Sequence, residues 1–259
     1  MKTVLITRPL AQAKKFQDQL KGFDTIIISP MIVNDYVLSE EDQIEITEDV
    51  LDGAWCFFTS ANAVSVAAPY LLGSPQIAAV GKETANELLK YGFKTSFIPE
   101  KNTGEGLSSE FFEKYGDDKD IKILLFQGDS ASDFIEEFFK SKHILIKKFI
   151  VYSVNELPGE DLPLIETLTF INALEDNELV ITFFSGKTIY FFEKLIPELI
   201  KLSNNAEELS KKIYTMPVVV IGEKTKEVAI KCNFKNVIET ESKTSESMIT
   251  TLRKLVLPC

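Results

Sequence analysis

Two hydrophobic rhythms take turns along this chain. Short continuous apolar runs, such as Val4-Leu5-Ile6, Trp55-Cys56-Phe57-Phe58 and Leu179-Val180-Ile181, are separated by longer stretches where apolar residues return every three or four positions. A run without polar alternation predicts a strand covered on both faces, as inside a parallel sheet. The periodic stretches predict amphipathic helices. In order, the pattern predicts strand 3–7, helix 10–21 with Ala13, Phe16 and Leu20 on one face, and strand 25–29 broken by Pro30. An extended crossing segment over 32–38 and an acidic helix over 40–51 follow. Next come strand 55–59, a helix from Ser60 to Leu71, strand 77–80 and a helix from Glu83 to Tyr91, ended by Gly92 in the C′ position. Gly81 and Gly222 read as tight turns, and Gln127-Gly128-Asp129-Ser130 as a glycine turn. Strand 95–98, helix 103–115, strand 121–126, helix 133–140 and strand 147–154 are then predicted. The remainder predicts helix 162–174, strand 179–184, a helix from Ser185 ended or kinked by Pro197, helix 206–213, strand 218–221, helix 224–232, strand 236–239 and a last helix to Leu255. Strands alternating with helices define an α/β fold built on parallel sheets.

The pattern also repeats. Ala79-Val80-Gly81-Lys82-Glu83-Thr84 returns as Val220-Ile221-Gly222-Glu223-Lys224-Thr225, an offset of 141 residues from Gly81 to Gly222 and from Thr84 to Thr225. The register persists at Phe93-Lys94 against Phe234-Lys235 and at Thr103 against Thr244. Phe58-Thr59-Ser60 returns as Phe183-Phe184-Ser185 at an offset of 125 residues. This is a duplicated α/β unit, so two domains are expected. The stretch from Trp55 already holds enough strands for a domain, whereas the stretch from Leu179 is short of strands that 3–29 can supply. The expectation is therefore a discontinuous domain 1, residues 1–33 and 156–259, with domain 2, residues 39–150, inserted into it. Segments 34–38 and 151–155 would be the linker strands. Two similar domains facing each other form a cleft, a preferred place for a ligand.

Composition narrows the function. No apolar run approaches the roughly 20 residues that span a bilayer, and the N-terminal run meets charge too soon for a signal peptide. A cytoplasmic enzyme or binding protein is expected. The net charge of −11 disfavours nucleic acid, whose binding needs a basic face to displace counterions. The three cysteines, Cys56, Cys232 and Cys259, have neither metal-ligand spacing nor a disulfide framework. A single histidine, His143, excludes a multi-histidine metal site.

Ligands of open parallel sheets bind beyond the carboxyl ends of the strands. The loops there hold Thr7-Arg8-Pro9, Thr59-Ser60, Gly81 to Thr84, Thr103-Gly104-Glu105-Gly106, Gln127 to Ser130, Ser185-Gly186-Lys187, Gly222 to Thr225 and Thr244-Ser245. Nearly all place Gly, Ser or Thr at a helix start, which exposes N–H groups to an anion. Ser and Thr are also the favoured N-caps, so each has a purely structural alternative. None of the loops matches a Walker or dinucleotide fingerprint. Lys82, Lys187 and Lys224 lie in or beside the loops, where they can neutralise carboxylates or simply face solvent. Asp129 and Asp133 straddle a helix start and read as caps. Tyr152, in a strand, reads equally as an aromatic of the sheet or as a functional phenol.

Seven of these elements, in order and covering nearly the whole chain, resemble the uroporphyrinogen-III synthase family. They are Ile6-Thr7-Arg8-Pro9, Phe57 to Val64, Ala79 to Ala85, Thr103 to Leu107, Val151-Tyr152-Ser153, Phe183 to Gly186 and Ile221 to Thr225. The resemblance implies two flavodoxin-like domains joined by a two-stranded linker. It implies a lyase that cyclises hydroxymethylbilane to uroporphyrinogen III, inverting ring D and releasing water, with no cofactor. The implied route ionises the hydroxymethyl group to an azafulvene, attacks through ring D to a spiro intermediate, then fragments and recloses. Tyr152 matches the tyrosine that assists the leaving hydroxyl, and Thr59, Ser60, Thr84, Ser185 and Thr225 match hydroxyls lining the cleft. Thr103, Gly104 and Lys187 join them as expected substrate-binding residues. A monomer is expected, with hydroxymethylbilane synthase as a transient partner. Gln127, Gly186 and Lys224 depart from the family pattern, which usually has arginine, proline and threonine there. Those departures keep a second reading open, a non-catalytic homologue binding a tetrapyrrole or other polycarboxylate.

Overall fold

The computed structural model describes residues 2–118 and 120–256; Cys259 lies outside the described residues. The chain divides into two compact units, one of Met1–Ile32 with Asn155–Cys259, the other of Val33–Val154. The first opens with β1 (Thr3–Ile6), α1 (Leu10–Gln17) and β2 (Asp24–Ile27). The passage into the second falls within β3 (Met31–Asp35). There follow α2 (Glu40–Leu51), β4 (Trp55–Phe58), α3 (Ala61–Ala67), β5 (Gln76–Ala79), α4 (Lys82–Lys90), α5 (Gly104–Tyr115), β6 (Lys122–Gly128), α6 (Phe134–Ser141) and the long β7 (Leu145–Glu156). The first unit resumes with α7 (Leu164–Glu175), β8 (Leu179–Phe183), α8 (Gly186–Ile200), α9 (Ala206–Lys212), β9 (Pro217–Val220), α10 (Glu223–Lys231), β10 (Asn236–Glu239) and α11 (Ser245–Val256).

Each unit holds one five-stranded sheet, in the order β10-β9-β8-β1-β2 and β3-β7-β6-β4-β5. The pairings β10-β9, β9-β8, β8-β1 and β1-β2 are parallel, as are β7-β6, β6-β4 and β4-β5. Successive strand residues enter opposite cores. Leu5 joins the cluster with Phe170, Phe183 and Phe192, while Val4 and Ile6 join Phe16 and Leu252. In the other unit Phe58 and Phe126 face one cluster, and Phe57 and Leu125 face the other with Phe111 and Phe139. Burial on both faces is why these strands carry no polar alternation.

The repeat survives in three dimensions. Strands β5 and β9, helices α4 and α10, and helices α5 and α11 are each displaced by 141 residues at both ends. Gly92 (φ 86°) and Asn233 (φ 64°) occupy the same left-handed position. The next residues, Phe93 and Phe234, donate their N–H groups to the carbonyls of Leu88 and Ala229, each at 3.1 Å. Both closures are Schellman motifs. One part of the repeat is rearranged: β6 beside β4 has its counterpart in β1 beside β8, but β1 comes at the start of the chain. Phe58 pairs with Phe126, and its 125-residue counterpart Phe183 stands one step past Ile6↔Thr182, opposite Thr7; Gln127 and Arg8, the next residues, are therefore in equivalent places.

Residues 95–98 form no strand, only a single bridge, Ala78↔Phe97. The equivalent β10 does pair, and just beyond it Thr240 N–H donates to the Val220 carbonyl at 3.1 Å. Its counterpart here is Pro99, which has no N–H to give. Pro197 neither ends nor visibly shortens α8, which runs on to Ile200. An internal proline costs about 3 kcal/mol. Leu199 and Ile200 beyond it are buried, and each such side chain contributes roughly 1.5–3 kcal/mol. Gly81 (φ −173°) and Gly222 (φ 168°) are extended residues that precede helices, not tight turns. Gln127 and Gly128 belong to β6, whose pairing with β7 continues past an irregularity to Gly128↔Tyr152.

Candidate functional site

In the unit Val33–Val154 the strands β4 and β6 end beside Tyr152 of β7, which runs on to Glu156. Their ends bring Thr59, Ser60, Gly128, Asp129 and Tyr152 into one neighbourhood. Ser60 caps α3, its Oγ accepting from the Ala63 N–H at 3.3 Å. Thr59 Oγ1 reaches the Phe126 carbonyl at 3.4 Å. Tyr152 is half-buried against the core that contains Phe58, Val64 and Phe126, and its hydroxyl hydrogen-bonds with the Ser60 side chain. The Asp129 N–H donates to the Tyr152 carbonyl at 3.0 Å, so the chain leaving β6 stays tied to β7.

Burial pushes the Tyr152 phenol above its ordinary value of 10.0, the hydrogen bond from Ser60 opposes that shift, and the Asp129 charge adds to it. The phenol is therefore neutral and holds its proton throughout the physiological range. Because the unfolded tyrosine ionises first, the stability this residue lends is complete below pH 10 and falls as pH rises above it. Activity that depends on the protonated phenol should keep its alkaline limb above pH 10. Asp129→Asn should move that limb downwards, because it removes a charge that opposes ionisation. A pH–rate profile of both proteins, with tyrosinate absorbance as the parallel titration, checks this. An unmoved limb in the variant would remove Asp129 from the electrostatics of the site.

The other expected residues of this unit sit on neighbouring loops. Thr103 is an exposed N-cap of α5, accepting from the Gly106 N–H at 3.0 Å, and Gly104 begins the helix. The loop before α4 touches the turn before α5: a Cβ on Gly81 would lie 3.2 Å from Asn102 Cγ. Thr84 is buried at 3% exposure in the first turn of α4. Asp133 precedes α6 but makes no cap; its carboxylate pairs with Lys148 at 2.8 Å.

The unit with both chain ends presents a matching set. Ser185 caps α8, accepting from the Thr188 N–H at 3.2 Å and contacting Thr188 Oγ1 at 2.8 Å. Its backbone (φ −159°, ψ 156°) closely repeats that of Ser60 (φ −157°, ψ 158°). Lys187 Nζ lies 5.3 Å from the centre of the Phe191 ring. Thr225 is buried at 6% exposure, as Thr84 is in its own unit. Arg8, named in a loop motif but not among the expected binding residues, is a further member. Its guanidinium is buried, stacks 4.3 Å above the Phe184 ring and reaches Ser245 Oγ at 3.3 Å. Its counterpart in the other unit, Gln127, is also buried, and its Oε1 has no hydrogen-bond partner within the protein. The family departure at 127 is thus in the sheet interior, not on an open loop. Cys56 and Cys232 are both buried, and each thiol is pushed up to about 12. Burial is the main cause in both, so neither is a thiolate nucleophile near neutral pH.

Two parallel α/β units, each with a serine-capped helix following a sheet strand and one with a neutral tyrosine beside it, define a two-unit α/β protein. The family model described as HEM4, Uroporphyrinogen-III synthase HemD, matches residues 15–250. The fold resembles that of uroporphyrinogen-III synthetase from Helicobacter pylori 26695, with a TM-score of 0.61 at 15% identity, covering 98% of this chain and 99% of that one. It also resembles a mutant uroporphyrinogen III synthase from the extremely thermophilic bacterium Thermus thermophilus, with a TM-score of 0.51 at 13% identity, over 98% and 99% of the two chains. The chain belongs to the uroporphyrinogen-III synthase family and is an enzyme of tetrapyrrole biosynthesis. Among the described residues no helix is long and apolar enough to cross a membrane.

Proposed function

We propose that the chain cyclises hydroxymethylbilane to uroporphyrinogen III, inverting ring D, and that Tyr152 donates the proton with which the hydroxyl departs as water. The observation that carries this reading is the neutral phenol hydrogen-bonded to Ser60 at the start of α3. A neutral phenol can give a proton where a phenolate cannot. As the C–O bond breaks, the leaving oxygen takes that proton and the pyrrole nitrogen supplies electrons to the carbon. The phenolate left behind is stabilised by the Ser60 hydroxyl and regains a proton from solvent. One positioned acid contributes about 10²–10⁴-fold; holding the flexible chain of rings in a reactive shape contributes the rest.

The substrate carboxylates are received, in this reading, by N–H groups at helix starts. Thr59, Ser60, Thr103 and Gly104 act in one unit and Ser185 and Lys187 in the other. The burial of Thr84 and Thr225 favours a different role for both: they hold the first turns of α4 and α10 in shape, while the backbone faces the ligand. We further propose a cytoplasmic monomer that takes its unstable substrate from hydroxymethylbilane synthase by transient contact.

A coupled assay tests the central claim. Freshly generated hydroxymethylbilane is supplied, the products are oxidised, and the type I and type III isomers are separated. Type III in excess of the spontaneous type I is expected. Type I alone, from folded protein, would leave a polycarboxylate-binding homologue.

A further inference from the structure

We infer that Gly128 is a positioning residue for Tyr152; this rests on the role proposed for that tyrosine. Gly128 and Tyr152 are cross-strand partners where β6 ends beside β7, just past the irregularity at Gln127/Gly128. A Cβ built on Gly128 would lie 2.6 Å from Tyr152 Cζ, 2.8 Å from Cε2 and 3.0 Å from the hydroxyl oxygen. The ring therefore lies directly over the bare backbone of residue 128, at the end that carries the hydroxyl.

Gly128 is not one of the left-handed glycines, which are Gly22, Gly53, Gly73 and Gly92. An alanine there meets no backbone penalty. Backbone retreat is restricted as well. Strand β6 is paired on one side with β4 and on the other with β7, and the Asp129 N–H ties it to the Tyr152 carbonyl at 3.0 Å. The ring is the part that can yield. It packs against the core of Phe58 and Phe126 and is only partly buried, so an added methyl group displaces it away from residue 128. That motion takes the hydroxyl from Ser60 and lets water reach it. Misplacing a reacting group by about 1 Å can cost on the order of 10²-fold in rate.

The experiment is Gly128→Ala in the whole enzyme. Turnover should fall about tenfold or more with KM changed less than about twofold. The alkaline transition of residue 152, obtained as the tyrosinate absorbance lost in Tyr152→Phe, should drop towards the ordinary 10.0. In the Tyr152→Phe background, Gly128→Ala should add less than about a twofold loss, since the hydroxyl it positions is gone. An unchanged transition with full turnover, or a full multiplicative loss in the double variant, would overturn the inference. If Tyr152→Phe alone keeps full turnover, the acid role fails, and the shift of the transition still decides whether Gly128 places the ring. Should Gly128→Ala not fold, Tyr152→Ala in the same chain is expected to restore folding by vacating the space; continued failure would overturn the steric argument.

Discussion

Replacing Tyr152 with phenylalanine is expected to lower turnover by about tenfold or more while the protein stays folded and KM stays close to its original value. The ring remains, so its packing against the core of Phe58 and Phe126 persists; only the hydroxyl and its bond with Ser60 are lost. An acid acting on the leaving group contributes to the transition state more than to binding, so the loss falls on kcat. The residual activity reports what positioning achieves unaided. Steady-state kinetics on freshly generated hydroxymethylbilane, with isomer analysis, measures both. Turnover within about twofold of the parent would remove Tyr152 from the chemistry.

The largest stability loss should come from Phe111→Ala. The Phe111 ring lies 4.8 Å from Trp55, 4.7 Å from Phe57, 5.6 Å from Phe97, 4.9 Å from Tyr115 and 5.9 Å from Phe139, centroid to centroid. It is fully buried. Truncating such a ring removes its transfer energy and leaves a cavity, at a cost of about 3–5 kcal/mol. Trp55 is the only tryptophan and makes an edge-to-face contact with Phe111, so its fluorescence follows the unfolding of its own unit. A denaturant titration of Trp55 emission should show a lower midpoint, with far-ultraviolet dichroism following both units together. A midpoint unchanged from the parent would mean that the cluster repacks without loss.

The aromatic cluster is visible in the sequence as apolar positions, but not as a set of contacts, because its members are far apart in the chain. The same distinction separates what the chain declares locally from what folding adds. Helix α2 and strand β10 have the predicted bounds, since a capping Ser39, an acidic first turn and an apolar period act within a few residues. The 141-residue repeat is legible because the two copies need the same local chemistry: an extended glycine before the helix, a left-handed C′ residue after it, a threonine cap on the next. Tertiary structure decided the remainder. Residues 95–98 have the composition of a strand, but pairing depends on a neighbouring edge, and Pro99 withholds the N–H that Thr240 supplies in the other copy. Pro197 reads as the end or a kink of its helix, yet α8 runs past it, and the buried side chains beyond it hold that last turn in place. Tyr152 could be picked out only by resemblance. Its neutral phenol, its bond with Ser60 and the bare surface of Gly128 beneath it arise where β4 and β6 end beside β7. Desolvation and steric contact are properties of that packing, so the sequence named the residue and the fold created its chemistry.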